Sequence, residues 1–323
     1  MTPLDNGGAN AIKGFNYQKS VIILIAVLNY LNKSEFEISV ESEDDIVVTV
    51  GKSKTFMQVK SKPLSIATIL REEKGKDGKP KSSILEKNTA NGNETDSMFK
   101  IVTPSFAKES KHLESISASF LTDGATLYAY SEEGIDKINE INSRLSKQKI
   151  KNSKVAITDF GANQTKSWTY IKGVMVNQGI PVDRGAGMAS LNELSRQIDE
   201  RSELVVNNED DLKKKVFNRK NLQNIFNNSR TLEIFDELIS ALDYSTAMKV
   251  EMRNKNKTIG AIYESYINAA KEAIGGMEYL IFSDRKVIDE VLDSVSFGMD
   301  VSAIDRETIA VNAYSQILFE REQ

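Results

Sequence analysis

Three polar side chains that suit cation and phosphate chemistry occur close together in the N-terminal part of the chain: Asp45, Gln58 and Lys60. The segments on either side of Gly51 are rich in β-branched and apolar residues. This pattern predicts a β-hairpin with its turn at Gly51. Because side chains alternate along a strand, Gln58 and Lys60 should share one face, with Asp45 beside them across the hairpin.

A carboxylate, an amide oxygen and an ammonium group in one place could hold a divalent cation and a phosphate. Phosphodiester hydrolysis needs an activated water, a stabilised leaving oxygen and neutralised phosphoryl charge, and a divalent cation can supply all three. Mg²⁺ (or Mn²⁺) needs only one or two carboxylates, so we expect Asp45 to be the principal metal ligand, with Glu43 or Glu41 in support. Gln58 would add a neutral oxygen, and Lys60 would stabilise the developing charge.

The hydrophobic pattern predicts the elements that position these side chains. It favours a buried helix at 16–31, a short helix around 96–99, and three antiparallel strands at 36–41, 46–50 and 55–60. A glycine-rich segment near residue 185 precedes a region whose apolar stripes have helical spacing. We therefore predict an α/β domain, a mixed sheet flanked by helices, over residues 1–185, and an all-α domain over residues 186–323.

The composition narrows the chemistry and the location of the protein. The chain contains no cysteine, so thiol catalysis and zinc–thiolate sites are excluded. The N-terminus lacks the pattern of a signal peptide. The most apolar run, at 21–28, is too short to cross a bilayer, so we expect a cytoplasmic protein that is not associated with a membrane.

The local charge balance differs from the overall one. The net charge of −4 argues against a protein that coats nucleic acid through bulk charge. Between residues 51 and 87, however, there are ten Lys or Arg and four Asp or Glu. A basic segment beside an acidic cluster suits a metal site that cleaves a polyanion, although a solvated loop has the same composition. The candidate DNA contacts are Lys62 and a basic loop defined by Lys74, Lys76, Lys79 and Lys81.

The order of motifs resembles that of the PD-(D/E)XK restriction-endonuclease-like superfamily. It is most similar to the nuclease domain of bacterial anti-phage effectors of the CBASS and Lamassu systems. The motifs that carry the resemblance are Gly14-Phe15-Asn16-Tyr17-Gln18, Glu43-Asp44-Asp45-Ile46 and Gln58-Val59-Lys60. The superfamily more often has Glu at the position of Gln58, whereas the subgroup uses Gln. A second departure is that no evident Pro precedes the acidic residue. The resemblance, which covers about the first 160 to 185 residues, implies a metal-dependent double-stranded DNA endonuclease.

The helical C-terminal part is closer to the Lamassu arrangement than to the α/β nucleotide-sensing domain of CBASS effectors. The resemblance implies that this part docks an ATPase resembling SMC proteins and a small accessory subunit. We expect these partners to restrain the nuclease until release and self-association into a homo-oligomer on DNA. One alternative is a catalytically silent DNA-binding or scaffolding subunit built on the nuclease fold. Another is a self-contained restriction enzyme, for which no base-reading motif is visible.

Overall fold

The computed structural model of the protein describes residues 7–31, 35–42, 44–74, 80–107, 112–116, 125–177, 180 and 186–322. The chain forms two compact units. The first contains Met1–Ile180 and Ser190–Ile225, and the second contains Pro181–Ala189 and Phe226–Gln323. A mixed sheet flanked by helices makes up the first unit and the second is helical, so the predicted fold class is confirmed.

An eight-stranded mixed sheet is the framework of the first unit. Its strands are β1 (Glu37–Val40), β2 (Ile46–Val50), β3 (Ser53–Val59), β6 (Ser97–Thr103), β7 (Leu113–Ile116), β8 (Ala125–Tyr130), β9 (Ser153–Thr158) and β10 (Val216–Asn218). A separate antiparallel pair consists of β4 (Glu73–Lys74) and β5 (Pro80–Lys81). The strands of the large sheet lie in the order β10-β1-β2-β3-β6-β9-β8-β7. β6 runs parallel to β3 and β9, and the predicted antiparallel arrangement of β1, β2 and β3 is confirmed.

Eight helices are described in and around this sheet: α1 (Gly7–Leu31), α2 (Ile66–Leu70), α3 (Ile84–Ala90), α4 (Glu132–Ile141), α5 (Lys147–Lys151), α6 (Gln164–Asn177), α7 (Ala186–Glu203) and α8 (Glu209–Lys214). The first of these helices, α1, begins at Gly7, whereas the sequence predicts a start at residue 16. Its first two turns are exposed. They therefore lack the apolar pattern of a packed helix, from which the prediction was made.

The first helix is buried in the first unit, as predicted. By length and composition α1 could cross a membrane, but 61% of its most apolar stretch is buried within the protein. The Tyr17 hydroxyl lies 2.8 Å from Oγ1 of Thr158 on β9. Oγ of Ser20 lies 2.7 Å from Oγ of Ser167 on α6. These contacts are those of a core helix that packs between a sheet and a neighbouring helix.

The chain beyond the glycine-rich segment returns to the sheet. β10 pairs with β1 in an antiparallel register. Lys19 on α1 forms an ion pair of 2.6 Å with Asp199 on α7, and Arg201 donates to the carbonyl of Val216 at 3.2 Å. These contacts join Ser190–Ile225 to the first unit, whereas the boundary expected from sequence lies at residue 185. A three-residue strand carries too little periodicity for this return to be visible in the sequence.

The second unit has a core of its own. Its helices are α10 (Thr246–Ile262), α11 (Glu264–Gly275), α12 (Asp284–Ser294) and α13 (Ala303–Glu322), which follow α9 (Arg219–Ala241) along the chain. Phe235, Ile288, Ile309 and Val311 are among its fully buried side chains. Because α13 supplies the last two, the C-terminal helix is part of this core and is not a free docking arm.

Candidate active site

The β2–β3 hairpin brings Asp45 and Lys60 together. Asp45 immediately precedes β2, opposite the end of β3. Its Oδ2 accepts a hydrogen bond from the N–H of Val59 at 2.8 Å and another from Nζ of Lys60 at 3.2 Å. The backbone N–H of Lys60 donates to the carbonyl of Val102 on β6 at 2.9 Å. The carboxylate and the ammonium group are thus held by three adjacent strands.

Gln58 is oriented by Asp44 rather than by Asp45. Nε2 of Gln58 donates to Oδ1 of Asp44, and Nδ2 of Asn88 donates to Oδ2 of Asp44 at 2.9 Å. Asn88 is carried by α3, whose start is fixed by a serine–glutamate capping box. Burial raises the pKa of Asp44 above its ordinary value, and the hydrogen bonds to its carboxylate offset this only in part. Since a carboxylate only accepts, Gln58 turns its nitrogen to Asp44 and keeps its oxygen available for a ligand.

The turn that carries both carboxylates has a strained backbone. Glu41 has a φ of 49°, in the left-handed region that favours glycine. Its N–H donates to the carbonyl of Asp45 at 3.2 Å, and its side chain accepts from Nε2 of Gln18 at 2.8 Å. Nε2 of Gln18 also donates to the carbonyl of Asp45 at 3.2 Å. Nζ of Lys215 donates to the carbonyl of Glu41 at 3.1 Å. Groups from α1 and from the residue before β10 therefore hold this turn.

The acidic turn, Gln58 and α3 border an open cleft of about 330 Å³. In the part of the chain that the structure describes, no three His, Cys, Asp or Glu side chains form a metal-binding group by themselves. Mg²⁺ needs fewer, because it keeps several waters and takes one or two carboxylates. Within the described residues, Oδ1 of Asp45 and Oε1 of Gln58 have no hydrogen-bond donor. Asp45 and Gln58 therefore fit the role of ligands to a divalent cation.

The other residues predicted for the site are placed as follows. Lys62 and Lys81 are exposed, and Lys74 belongs to β4. Outside the described residues lie Glu43, Lys76 and Lys79. Support of a metal by Glu43 and contact of the basic loop with DNA therefore stay predictions.

Three contributors to the site were not predicted: Asp44 as the partner of Gln58, Asn88 and Lys215. Asp44 has a sequence signal, because it stands within the acidic cluster. Asn88 is 44 positions from Asp44, so only the fold brings it to the site. The lysine triplet at 213–215 has the appearance of a solvated helix face, and its first two members do pair with acidic neighbours in solvent. The third, Lys215, is buried.

Comparison with known proteins agrees with this architecture. Residues 6–163 match the family model described as "Cap4, dsDNA endonuclease domain", so the cleft and every strand of the large sheet except β10 belong to an endonuclease domain. The chain is also 33% identical, over 278 residues, to the Lamassu protein LmuA of Bacillus sp. (strain NIO-1130), and the match covers 84% of each protein. The chain therefore belongs to the Lamassu LmuA family, and the resemblance seen in the motifs is confirmed. No solved structure gives a significant match.

Proposed function

We propose that the protein is a divalent-metal-dependent endonuclease that cuts double-stranded DNA in bacterial anti-phage defence. The observation that carries the proposal is an open cleft of a Cap4-type endonuclease domain that is lined by Asp45 and Gln58, with Lys60 bonded to Asp45. Nucleases of this domain family generally use divalent metals. Carboxylate and amide oxygens suit Mg²⁺ or Mn²⁺, which supports these ions as the cofactor.

Each side chain has a task in phosphodiester hydrolysis. Asp45 and Gln58 would hold the cation through the oxygens that their hydrogen bonds leave unused. When bound, the cation lowers the pKa of water and neutralises phosphoryl charge. Lys60, held against Asp45, supplies a positive charge for the negative charge that develops in the transition state. Asp44 positions Gln58 through the amide nitrogen, and Asn88 positions Asp44 in turn.

The test is cleavage of plasmid DNA by the purified full chain. We expect cleavage with Mg²⁺ or Mn²⁺ and none in EDTA or for Asp45→Ala. Binding of Mn²⁺, measured by electron paramagnetic resonance without DNA, should be weakened by the same substitution. Cleavage that persists in excess chelator would exclude the metal-dependent mechanism. A metal-binding protein that cuts no DNA, alone or with its genomic neighbours, would favour the silent scaffolding subunit instead.

We further propose that the helical unit docks partner subunits that restrain the nuclease in the cytoplasm until release and self-association. Similarity to a Lamassu protein supports a multi-subunit system, and an SMC-like ATPase and a small accessory subunit are the partners we expect. Exposed large apolar side chains of this unit support docking, among them Ile262, Leu280, Ile281 and Met299.

Co-expression with the genomic neighbours tests this docking. Truncation of α13 would remove part of the core, so a surface substitution is the better probe. Ile281→Asp should reduce co-purification of the neighbours and leave thermal stability intact. Asp293→Lys, a change at another exposed position of this unit, is the matched control. Equal co-purification of both variants and the parent would place docking elsewhere on the chain.

A further inference from the structure

Lys215 is a buried lysine that contacts the acidic turn from a distant part of the chain. It follows α8 and precedes β10, and only 4% of its surface is exposed. Its Nζ donates to the carbonyl of Glu41 at 3.1 Å, and within the described residues that carbonyl is its one hydrogen-bond acceptor. Burial of an ammonium group with a single neutral acceptor is costly. This burial distinguishes Lys215 from the two exposed lysines before it.

The contact falls on the strained residue of the site. Glu41 adopts the left-handed conformation, which a residue with a side chain keeps only when its surroundings impose it. Gln18 holds its side chain, Asp45 holds its N–H, and Lys215 holds its carbonyl. The turn that starts at Glu41 carries Asp44 and Asp45. Loss of the bond to the carbonyl would let this turn relax and move both carboxylates.

The position of Lys215 is itself well supported. β10, which begins at the next residue, pairs with β1. The Arg201 guanidinium lies 4.6 Å from the ring centroid of Phe217, and its Nε donates to the carbonyl of Val216 at 3.2 Å. Lys215, Arg201 and β10 all lie beyond residue 163, where the match to the endonuclease family model ends.

We propose that Lys215 is a positioning residue of the nuclease site. It fixes the backbone of the acidic turn and so sets the geometry with which Asp45 and Gln58 hold the cation. This inference rests on the proposed nuclease function. It extends the catalytic unit past the region of the family match as far as β10.

Full-length Lys215→Met, Lys215→Arg and the control Lys214→Met test the proposal. Lys214 is exposed and pairs with Asp211 at 2.9 Å, so it is a matched lysine without contact to the turn. Three properties are compared: hydrogen exchange of the peptide that contains residues 41–45, Mn²⁺ affinity, and kcat and KM for DNA. We expect Lys215→Met to speed exchange in the turn, weaken Mn²⁺ binding about 10- to 100-fold and lower kcat, with little change in KM. Lys215→Arg should restore most of the Mn²⁺ affinity.

The outcomes that overturn the proposal are distinct from failure of the nuclease function. The proposal is refuted if Lys215→Met and Lys214→Met have the same hydrogen exchange in the turn and the same Mn²⁺ affinity. Weaker metal binding with unchanged exchange would also refute it, because the effect would then not act through the turn. If Lys215→Met is insoluble, Lys215→Gln, whose side chain is one bond shorter, takes its place. Exchange and Mn²⁺ binding need no cleavage. A parent protein that cuts no DNA, alone or with its genomic neighbours, would refute the nuclease function, and these two readouts would still test the role of Lys215.

Discussion

Replacement of Lys60 by methionine separates a catalytic role of this lysine from a structural one. The Lys60 side chain is 34% exposed and that of Asp45 is 22% exposed, with Nζ and Oδ2 3.2 Å apart. An ion pair this open to solvent contributes at most about 1 kcal/mol to folding. Methionine keeps most of the apolar stem of lysine, so packing is retained. The free energy of unfolding should therefore change by less than about 1 kcal/mol.

The effect on cleavage should be much larger. Removal of one group that stabilises transition-state charge typically lowers kcat by about 10²- to 10³-fold, or roughly 3 to 4 kcal/mol of activation free energy. The assay is single-turnover cleavage of a labelled duplex in Mg²⁺, run beside urea unfolding of the same preparations. Lys52→Met, at an exposed lysine in the turn between β2 and β3, is the control and should cleave within a few-fold of the parent.

Two results would refute this reasoning about Lys60. Cleavage by Lys60→Met within about threefold of the parent would remove the lysine from the mechanism, since the loss would be below about 1 kcal/mol of activation free energy. Loss of cleavage together with several kcal/mol of unfolding free energy would show that the lysine acts through the fold.

Asp45→Asn keeps an acceptor for the N–H of Val59 but removes the charge, so Mn²⁺ affinity should fall at least about tenfold. An unchanged Mn²⁺ affinity in electron paramagnetic resonance would exclude Asp45 as a ligand. Neutralisation of all four lysines of the basic loop should lower the log–log salt slope of DNA binding, measured by anisotropy, by about one per lost phosphate contact. An unchanged slope would identify a solvated loop. Burial, with a smaller effect of the neighbouring Lys154, lowers the pKa of Lys100 to about 8 from the ordinary 10.5. The unfolded chain therefore binds more protons between these values, and the free energy of unfolding should rise with pH across this window by up to about 1.4 kcal/mol per unit. Lys100→Met should remove that rise. The measurement is the free energy of unfolding in urea at pH 7.5, 8.5 and 9.5, and the same change with pH in parent and variant would contradict the prediction.

The sequence predicts the first three strands well because their signal is local. β-branched residues on either side of a glycine turn specify a hairpin without reference to the rest of the chain. The central strand β6 shows the opposite case, since a short helix was predicted around residues 96–99 and the structure has a strand at Ser97–Thr103. This strand lies between two parallel neighbours. Its apolar run is interrupted by the buried Lys100, so no clear strand pattern was visible.

The candidate site was predictable only as far as strand alternation applies. Alternation and the hairpin brought Asp45 to Lys60, and the structure has that contact. Strand alternation did not predict the pairing of Gln58 with Asp44, because Asp44 lies in the turn before β2. Glu41 in that turn has a left-handed backbone, so alternation does not apply there. Asn88 reaches the site from a helix that follows a basic loop, and no sequence pattern links that helix to the acidic turn.

Contacts within the protein account for the positions of both adjacent carboxylates. Each oxygen of Asp44 accepts an amide donor, and Oδ2 of Asp45 accepts a backbone N–H and the Lys60 ammonium. These donors offset the repulsion between the two acids, so the site geometry is set by strands, α3 and the turn contacts. Preorganised charge of this kind needs little rearrangement during the reaction. We therefore expect partner subunits to control the access of DNA to the cleft, or the meeting of two copies on DNA, rather than the assembly of the site.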